Sequence, residues 1–519
     1  MHACLYVNEI LRLIACELVT SGGEATAVAF ACCCKSFEDP VLDALWEVQC
    51  ELTQLLETLP KDVWNEGKCT VSAQITYDVS FLNYFIRKYF RRLPTTLELA
   101  RFRKYAQRIR EFTDSGTLNE VSSEVFLVLQ RFGFHEPLLP NLKSLDLWHA
   151  KETSIPFIPL FLSPATTYVD IRFEKPHLPK GLVASIIAIF SARCPNLQHI
   201  GLCDLPRDPM ITAAASELLL TTNRNTLRTF DVDSPLTEEA REVVQRLSDL
   251  RELTVVIERG TSLPSLVLPS LTNLIARYDH DDDCLEMFRG ATLGKLESIE
   301  FFSGSERIGN FLEAFERVAL AASAQDTLFE FSLNTSCSWS PTFSSLLSFT
   351  QMKYLTIDFS CKRGCSSMVD DDIITNLARA MPKLECLLLG DAPCRRIPTG
   401  VTAKGLVVLA HHCPNLSDLC VHIQVAGLIA PPATIGMTPE AKPGALRRDC
   451  ALKRLYVGKI PMPERSVLVV ALTLARIFPR IATINSADEG WKKVEDAICL
   501  SRRVVDYSGK QHPPHFILK

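Results

Sequence analysis

The chain has 519 residues, 47% of them hydrophobic, and a formal net charge of −5 at pH 7. Such a length exceeds one ordinary globular domain unless the chain is repetitive, and the apolar content suffices for a large core. The mildly acidic balance gives no overall drive toward nucleic acid, and nineteen cysteines form an odd set with no small-domain framework around them, which predicts reduced thiols in a cytoplasmic or nuclear protein.

Residues 1–50 predict a small helical module. Ile10, Leu11, Ile14 and Leu18 recur at helical spacing and form one apolar stripe, which Ser21-Gly22-Gly23 stops. A second helix is expected from Ala25 to Phe37 and a third from Val41 to Trp46. Glu9, Arg12 and Glu17 interrupt the apolar run, so the segment does not read as a signal peptide. No stretch of about 20 apolar residues is present to span a bilayer, and the two nearest candidates, 181–190 and 466–478, read as buried helices. Three helices in so short a segment bury too little surface to be robust alone. The module is therefore expected to dock its apolar side on a partner or on the next domain, or else to cap the repetitive array behind it.

With Glu9-Ile10-Leu11 near its start, a Cys/Ala-rich second helix and a closing Leu45-Trp46, this segment resembles an F-box, although Asn8 stands where F-boxes commonly have proline. The resemblance implies that Leu5, Val7, Ile10, Ile14, Leu45 and Trp46 hold the Skp adaptor subunit of a Skp–cullin–F-box ubiquitin ligase. It also implies an adaptor, not an enzyme.

Residues 51–108 predict a helical linker. Leu52 to Leu59 reads as a helix ended by Pro60. Between 81 and 110 lie Arg87, Lys88, Arg91, Arg92, Arg101, Arg103, Lys104, Arg108 and Arg110, interleaved with Tyr84, Phe85, Tyr89, Phe90, Phe102 and Tyr105. Basic residues beside aromatics are what a nucleic-acid surface needs, but this spacing suits a helix that buries its rings and turns its cations to water.

From 109 to 500 a short pattern recurs, apolar-x-x-apolar-x-apolar. Clear copies begin at Leu142, Leu197, Leu227, Leu250, Leu271, Leu296, Leu328, Met352, Leu384, Leu416 and Leu452, and weaker ones at Ile109, Thr166 and Ile481. Proline two residues before Leu142, Leu197, Leu384 and Leu416 ends one element and directs the chain into an extended one. Helical periodicity at 182–192, 238–247, 308–321, 373–380 and 403–411 separates the copies, so each unit is a strand followed by a helix and the fold class is α/β. Strand alternation places Leu387 and Leu389 in the core and Leu388 on the opposite face. The array resembles leucine-rich repeats, which implies an irregular solenoid of parallel strands backed by helices, because the usual Asn or Cys three residues after the third apolar position is missing. F-box proteins of fungi with leucine-rich tails have this layout. Residues 501–519 read as a C-terminal tail.

Chemistry-bearing motifs are few. Cys361-x-x-x-Cys365 with Cys386 and Cys394 is too loosely spaced for zinc, and no CxxC pair exists. Asp370-Asp371-Asp372 and Asp281-Asp282-Asp283 read as helix caps, and His411-His412 as the polar last turn of a helix. There is no phosphate-binding glycine loop and no G-x-S-x-G elbow, so no catalytic residue, metal or cofactor is expected. Target recognition is expected on outward strand positions such as His199, Asp231, Glu300 and Asp358, and on the Pro/Gly-rich stretch 423–449. Two alternatives remain open: an F-box scaffold acting outside a ligase, and a small-molecule receptor using a pocket in the array.

Overall fold

The computed structural model describes residues 7–508, except 70–84, 115, 134–135, 175–177, 223–225, 260–265, 281–282, 285, 287–290, 304–314, 316–323, 325, 336–342, 360–368, 391–399, 430–449 and 459. It is a mixed α/β structure with two compact units, Met1–Glu252 and Leu253–Lys519.

The first unit opens with three helices, α1 (Asn8–Thr20), α2 (Glu24–Cys33) and α3 (Lys35–Glu47). Their core is Ala15, Ala27, Val41 and Ala44, with Leu18, Phe30 and Leu45 packed against it. Small side chains let the helices approach closely but bury little area. The α1–α2 turn uses Gly22 at φ 76°, a left-handed conformation that costs glycine nothing. The break between α2 and α3 falls at Cys34, earlier than expected, and Pro40 lies inside α3. Buried Phe37 stacks on Phe30 at 4.5 Å across that break, a contact that periodicity does not reveal.

The helical linker expected over 51–108 is corrected by the structure. After β1 (Val48–Gln49) and α4 (Leu52–Leu56) come two antiparallel strands, β2 (Trp64–Cys69) and β3 (Phe85–Phe90), and only then helix α5 (Thr96–Ala106). Lys88 explains the strand: it is buried, 2.5 Å from Glu57, with its ammonium 4.6 Å from the centre of the Trp64 ring. A buried cation needs such partners; the β2–β3 pairing brings Trp64 to it, and the residue after α4, Glu57, supplies the carboxylate. Helix α5 begins with a Thr95/Glu98 capping box. Hydrogen bonds from Arg92 and from the Thr95 backbone hold the Glu98 carboxyl at about 2.

The remaining elements of this unit are β4 (Glu111–Asp114), α6 (Ser123–Gly133), β5 (Ser144–Ala150), β6 (Tyr168–Phe173), α7 (Lys180–Arg193), β7 (His199–Cys203), α8 (Pro209–Thr221), β8 (Thr229–Val232) and α9 (Glu238–Val244). The strands pair in parallel in the order β1-β4-β5-β6-β7-β8. Leu145, Val169, Ile200 and Phe230 lie opposite one another along the ladder, so the apolar pattern stacks in register. Polar residues stand at core positions in the two weak copies of this unit. Thr166 donates to the Leu142 carbonyl at 3.0 Å. Asp114 is buried and accepts from the Gly116 and Leu118 N–H groups at 3.0 and 3.1 Å and from the Thr117 hydroxyl; burial nonetheless pushes its carboxyl up.

The second unit carries β9 (Glu252–Ile257), β10 (Asn273–Tyr278), β11 (Ser298–Ser303), β12 (Glu330–Thr335), β13 (Tyr354–Phe359), α10 (Asp371–Ala380), β14 (Cys386–Leu389), α11 (Ala403–His412), β15 (Asp418–Cys420), α12 (Val425–Ile429), β16 (Arg454–Gly458), α13 (Val467–Ile477), β17 (Thr483–Ser486) and α14 (Glu489–Ser508). Strands β10 to β17 pair in parallel in chain order. Helix α14 continues past residue 500, so the expected tail at 501–519 begins as helix. Of the helix expected at 308–321, only Phe315 is described.

Every apolar position of the eleven clear copies is buried. Leu387 and Leu389 lie in the core and Leu388 is half-buried on the other face. Adjacent copies are also joined at their helix starts. Asp370 caps its own helix, accepting from the Asp372 and Ile373 N–H groups. Its neighbour Asp371 instead reaches the next copy and accepts from the Thr402 and Gly405 N–H groups at 2.8 and 3.0 Å and from the Thr402 hydroxyl at 2.5 Å. Asp371→Ala should therefore cost about 1–3 kcal/mol by stranding these donors, whereas exposed Asp372→Ala should stay within roughly 0.5 kcal/mol of the parent. Urea denaturation of the full chain, with hydrogen exchange at 402–412, checks both; equal effects would refute the inter-copy role.

Candidate functional site

Leu5 lies outside the described residues. The other five residues expected at a docking surface fall into two groups. On α1, Leu11 and Ala15 turn inward, while Val7, Ile10 and Leu13 recur every three residues along one edge and are 41%, 36% and 70% exposed. Ile14 is half-buried beside them. Leu13, the most exposed, is the residue that the sequence pattern missed, because it falls off the expected stripe. On α3, Leu45 packs against the module's own core and Trp46 against Tyr105 of α5, with ring centres 4.8 Å apart. Trp46 thus also joins the three-helix module to α5.

Two further contacts make that junction. Arg108 reaches back to α3, where it donates to Asp39 Oδ1 at 2.5 Å, to the Asp39 carbonyl at 3.2 Å and to the Asp43 carboxylate. Burial opposes the Arg108 charge, but these carboxylates outweigh it and raise the pKa. The Arg110 N–H donates to the Glu47 carbonyl, and β1 pairs with β4. Arg92 is likewise engaged with Asp62 and Glu98. Several cations of the basic stretch thus serve contacts within the chain. Arg108→Met should cost about 1–2 kcal/mol, the carboxylates being partly exposed. Hydrogen exchange should quicken over 8–47 and not over 144–232; uniform quickening would refute a local clamp.

The four expected target-contact residues all lie on the outward strand face. Asp231 and Glu300 sit between the second and third buried positions of their copies; His199 precedes the second and Asp358 follows the third, which alternation puts on the same face. His199 stacks on Tyr168 with ring centres 4.0 Å apart, and its Nε2 is 3.6 Å from Asp170 Oδ2. Asp231 pairs in register with Gly201 on the neighbouring strand. In the second unit, Glu300 accepts from Ser332 at 3.4 Å, and Asp358 lies opposite Asn334.

The outward faces differ in charge balance. In the second unit these carboxylates meet cations and hydroxyls: Asp418 accepts from Arg454 and Ser417, and Glu385 pairs with Lys353 and accepts from the Tyr354 hydroxyl. Burial works against Asp418, yet the bonds from Arg454 and Ser417 keep its pKa below the usual range. In the first unit, Asp146 and Asp170 stand opposite each other on β5 and β6. Burial pushes the Asp146 carboxyl up and the Asp170 charge adds to it, against a hydrogen bond from the Trp148 side chain.

A cavity of about 210 Å³ lies between α5, α6 and residues 136–140, with Phe102 and Leu129 in its wall and Arg103 and Arg193 on its lining. Among the described residues, no cluster of three or more His, Cys, Asp or Glu is arranged to hold a metal. Cys361, Cys365 and Cys394 lie outside them, as do Asp281, Asp282 and residues 430–449 of the Pro/Gly-rich stretch, whose earlier part forms α12. Burial pushes the Cys413 thiol up to about 12. At the end of α11, burial and then the charges of His411 and Arg379 lower the His412 pKa, which works against the cationic form that a helix C-terminus favours. No described helix is long and apolar enough to cross a membrane. Comparison with protein-family models and with curated proteins gives no match.

Proposed function

We propose that the chain is the substrate-recognition adaptor of a Skp–cullin–F-box ubiquitin ligase, with α1–α3 as the F-box and the strand array as a leucine-rich-repeat-like solenoid. The observation that carries this reading is the exposed apolar edge Val7–Ile10–Leu13 on a module whose core is three alanines and a valine. A monomeric surface helix gains nothing from a row of exposed aliphatic side chains; a helix that docks on a partner does. Recurrent burial of the same three positions in successive parallel strands supports the repeat reading. The junction at Arg108, Trp46 and β1 supports a rigid connection between docking module and array.

The mechanism is proximity. The docking module holds the Skp adaptor and its cullin and the strand array holds the protein target, so acceptor lysines experience a raised effective concentration of the ubiquitin-bearing subunit. Bond making occurs on the partner subunits. Such work places the chain in the cytoplasm or nucleus.

Calorimetry with purified Skp adaptor tests the reading. Leu13→Asp combined with Ile10→Ala should weaken binding by about tenfold or more, since anchor truncations typically cost 2 kcal/mol or more. Trp46→Ala is the poorer probe because it also removes the Tyr105 contact. Full adaptor affinity in the Leu13/Ile10 variant, with the fold retained, would refute this docking surface. Failure of the parent chain to bind the adaptor would refute the function.

A further inference from the structure

The outward face of β5–β8 carries one register row that reads Asp146, Asp170, Gly201 and Asp231 on successive strands. The row holds three carboxylates and no basic residue. Arg172, two residues further along β6, lies beside the row: its guanidinium is 5.4 Å from the centre of the Trp148 ring, and its Nε is 4.0 Å from Asp204. Gly201 has a spatial reason. A Cβ there would stand 2.8 Å from both Cγ and Oδ2 of Asp170, so the missing side chain lets that carboxylate lie across the strand toward the middle of the row. Asp231 Oδ1 and His199 Nε2 are both closed off from solvent and have no hydrogen-bond partner among the described residues.

Burying acceptors without donors is costly, and like charges on neighbouring strands are destabilising. Burial, then the charges of Asp170, Asp146, Glu252 and Asp231, push the Tyr168 phenol up to about 12. Aromatic surface flanks the row, with the stacked Tyr168–His199 pair on one side and Trp148, 49% exposed, on the other. Arginine side chains satisfy both features, donating to carboxylates and stacking on rings.

We infer that this face is a docking site for a basic, arginine-bearing extended segment of the protein target. The inference rests on the adaptor reading and names its substrate class. Charge complementarity selects the occupant: no Lys or Arg stands in the row, where only His199 and Arg172 act on Asp146 from beside it, whereas the second unit's outward carboxylates Asp418 and Glu385 pair directly with Arg454 and Lys353. Asp146 and Asp231 are three strand spacings apart, roughly 14 Å, which is about four residues of extended peptide. Basic residues at i and i+4 therefore match the two ends of the row.

The test uses the full chain and fluorescein-labelled heptapeptides with arginine, or glutamate, at positions 2 and 6. Anisotropy should show salt-sensitive binding of the arginine peptide and none of the glutamate peptide. Asp146→Asn, Asp170→Asn and Asp231→Asn together should weaken it by about tenfold or more. A control that removes the same charge from α9, Glu238→Gln, Glu239→Gln and Glu242→Gln, should leave it unchanged. Thermal melts establish that each variant folds. No binding of the arginine peptide, equal loss in the α9 control, or retention in the triple Asn variant would overturn the inference. So would displacement of the peptide by Ca2+ or Zn2+ at concentrations too low to act by screening, which would make the row a cation site. Adaptor calorimetry is a separate arm: the triple Asn variant should bind the Skp adaptor as the parent does, so failure here and failure of the adaptor reading are told apart.

Discussion

In-register parallel pairing is the constraint on which the other features depend. A parallel ladder offers each strand evenly spaced bonds but no tight turn, so the chain must leave the sheet and return between strands. Here the return is anchored at the same point each time. The carbonyl of Lys143 accepts two N–H groups, from Thr167 and Tyr168; that of Thr167 accepts from Gln198 and His199, and that of Gln198 from Arg228 and Thr229. In the second unit the carbonyls of Glu297, Phe329, Lys353, Glu385, Ser417 and Lys453 do the same. Each doubly used carbonyl sets the entry of the next strand. A one-residue slip would turn every buried aliphatic side chain outward.

With entry fixed, the side chains divide the labour by face. Inward positions are aliphatic or aromatic, and exceptions must bring their own partners, as Asp114 does through the Gly116 and Leu118 N–H groups and Thr166 through the Leu142 carbonyl. Outward positions are free of packing demands, so their chemistry is available to a partner. Between two helix starts, the Asp371 carboxylate joins one copy to the next through the Thr402 and Gly405 N–H groups. Loop lengths can then vary from copy to copy without disturbing the strands.

The strands were legible because their signal is local and repeated. Three apolar residues at fixed spacing fix both the existence of a strand and its buried face, and Leu387, Leu388 and Leu389 fall as alternation requires. The hairpin was not legible. Phe85–Phe90 mixes aromatic and basic residues without a clean period, and the feature that makes it a strand, the burial of Lys88 between Glu57 and Trp64, joins residues about 30 apart. Leu13 was missed because an exposed apolar residue off the main stripe looks like noise until its exposure is known. The charge row was half legible: alternation put Asp231 outward, but nothing in the sequence aligns it with Asp146 and Asp170, or shows Asp170 leaning over Gly201.

The first strand has a consequence of a different kind. β1 is two residues long and lies at the edge of the sheet, opposite Glu111 and Phe112 only. An exposed edge is a template on which another chain can add a strand, the usual start of fibrous aggregation. Val48 and Gln49 present almost no backbone for such addition. Helix α3, which runs directly into β1, holds this short segment in place. The same module that carries the exposed aliphatic edge therefore also blunts this edge of the sheet against copies of the chain.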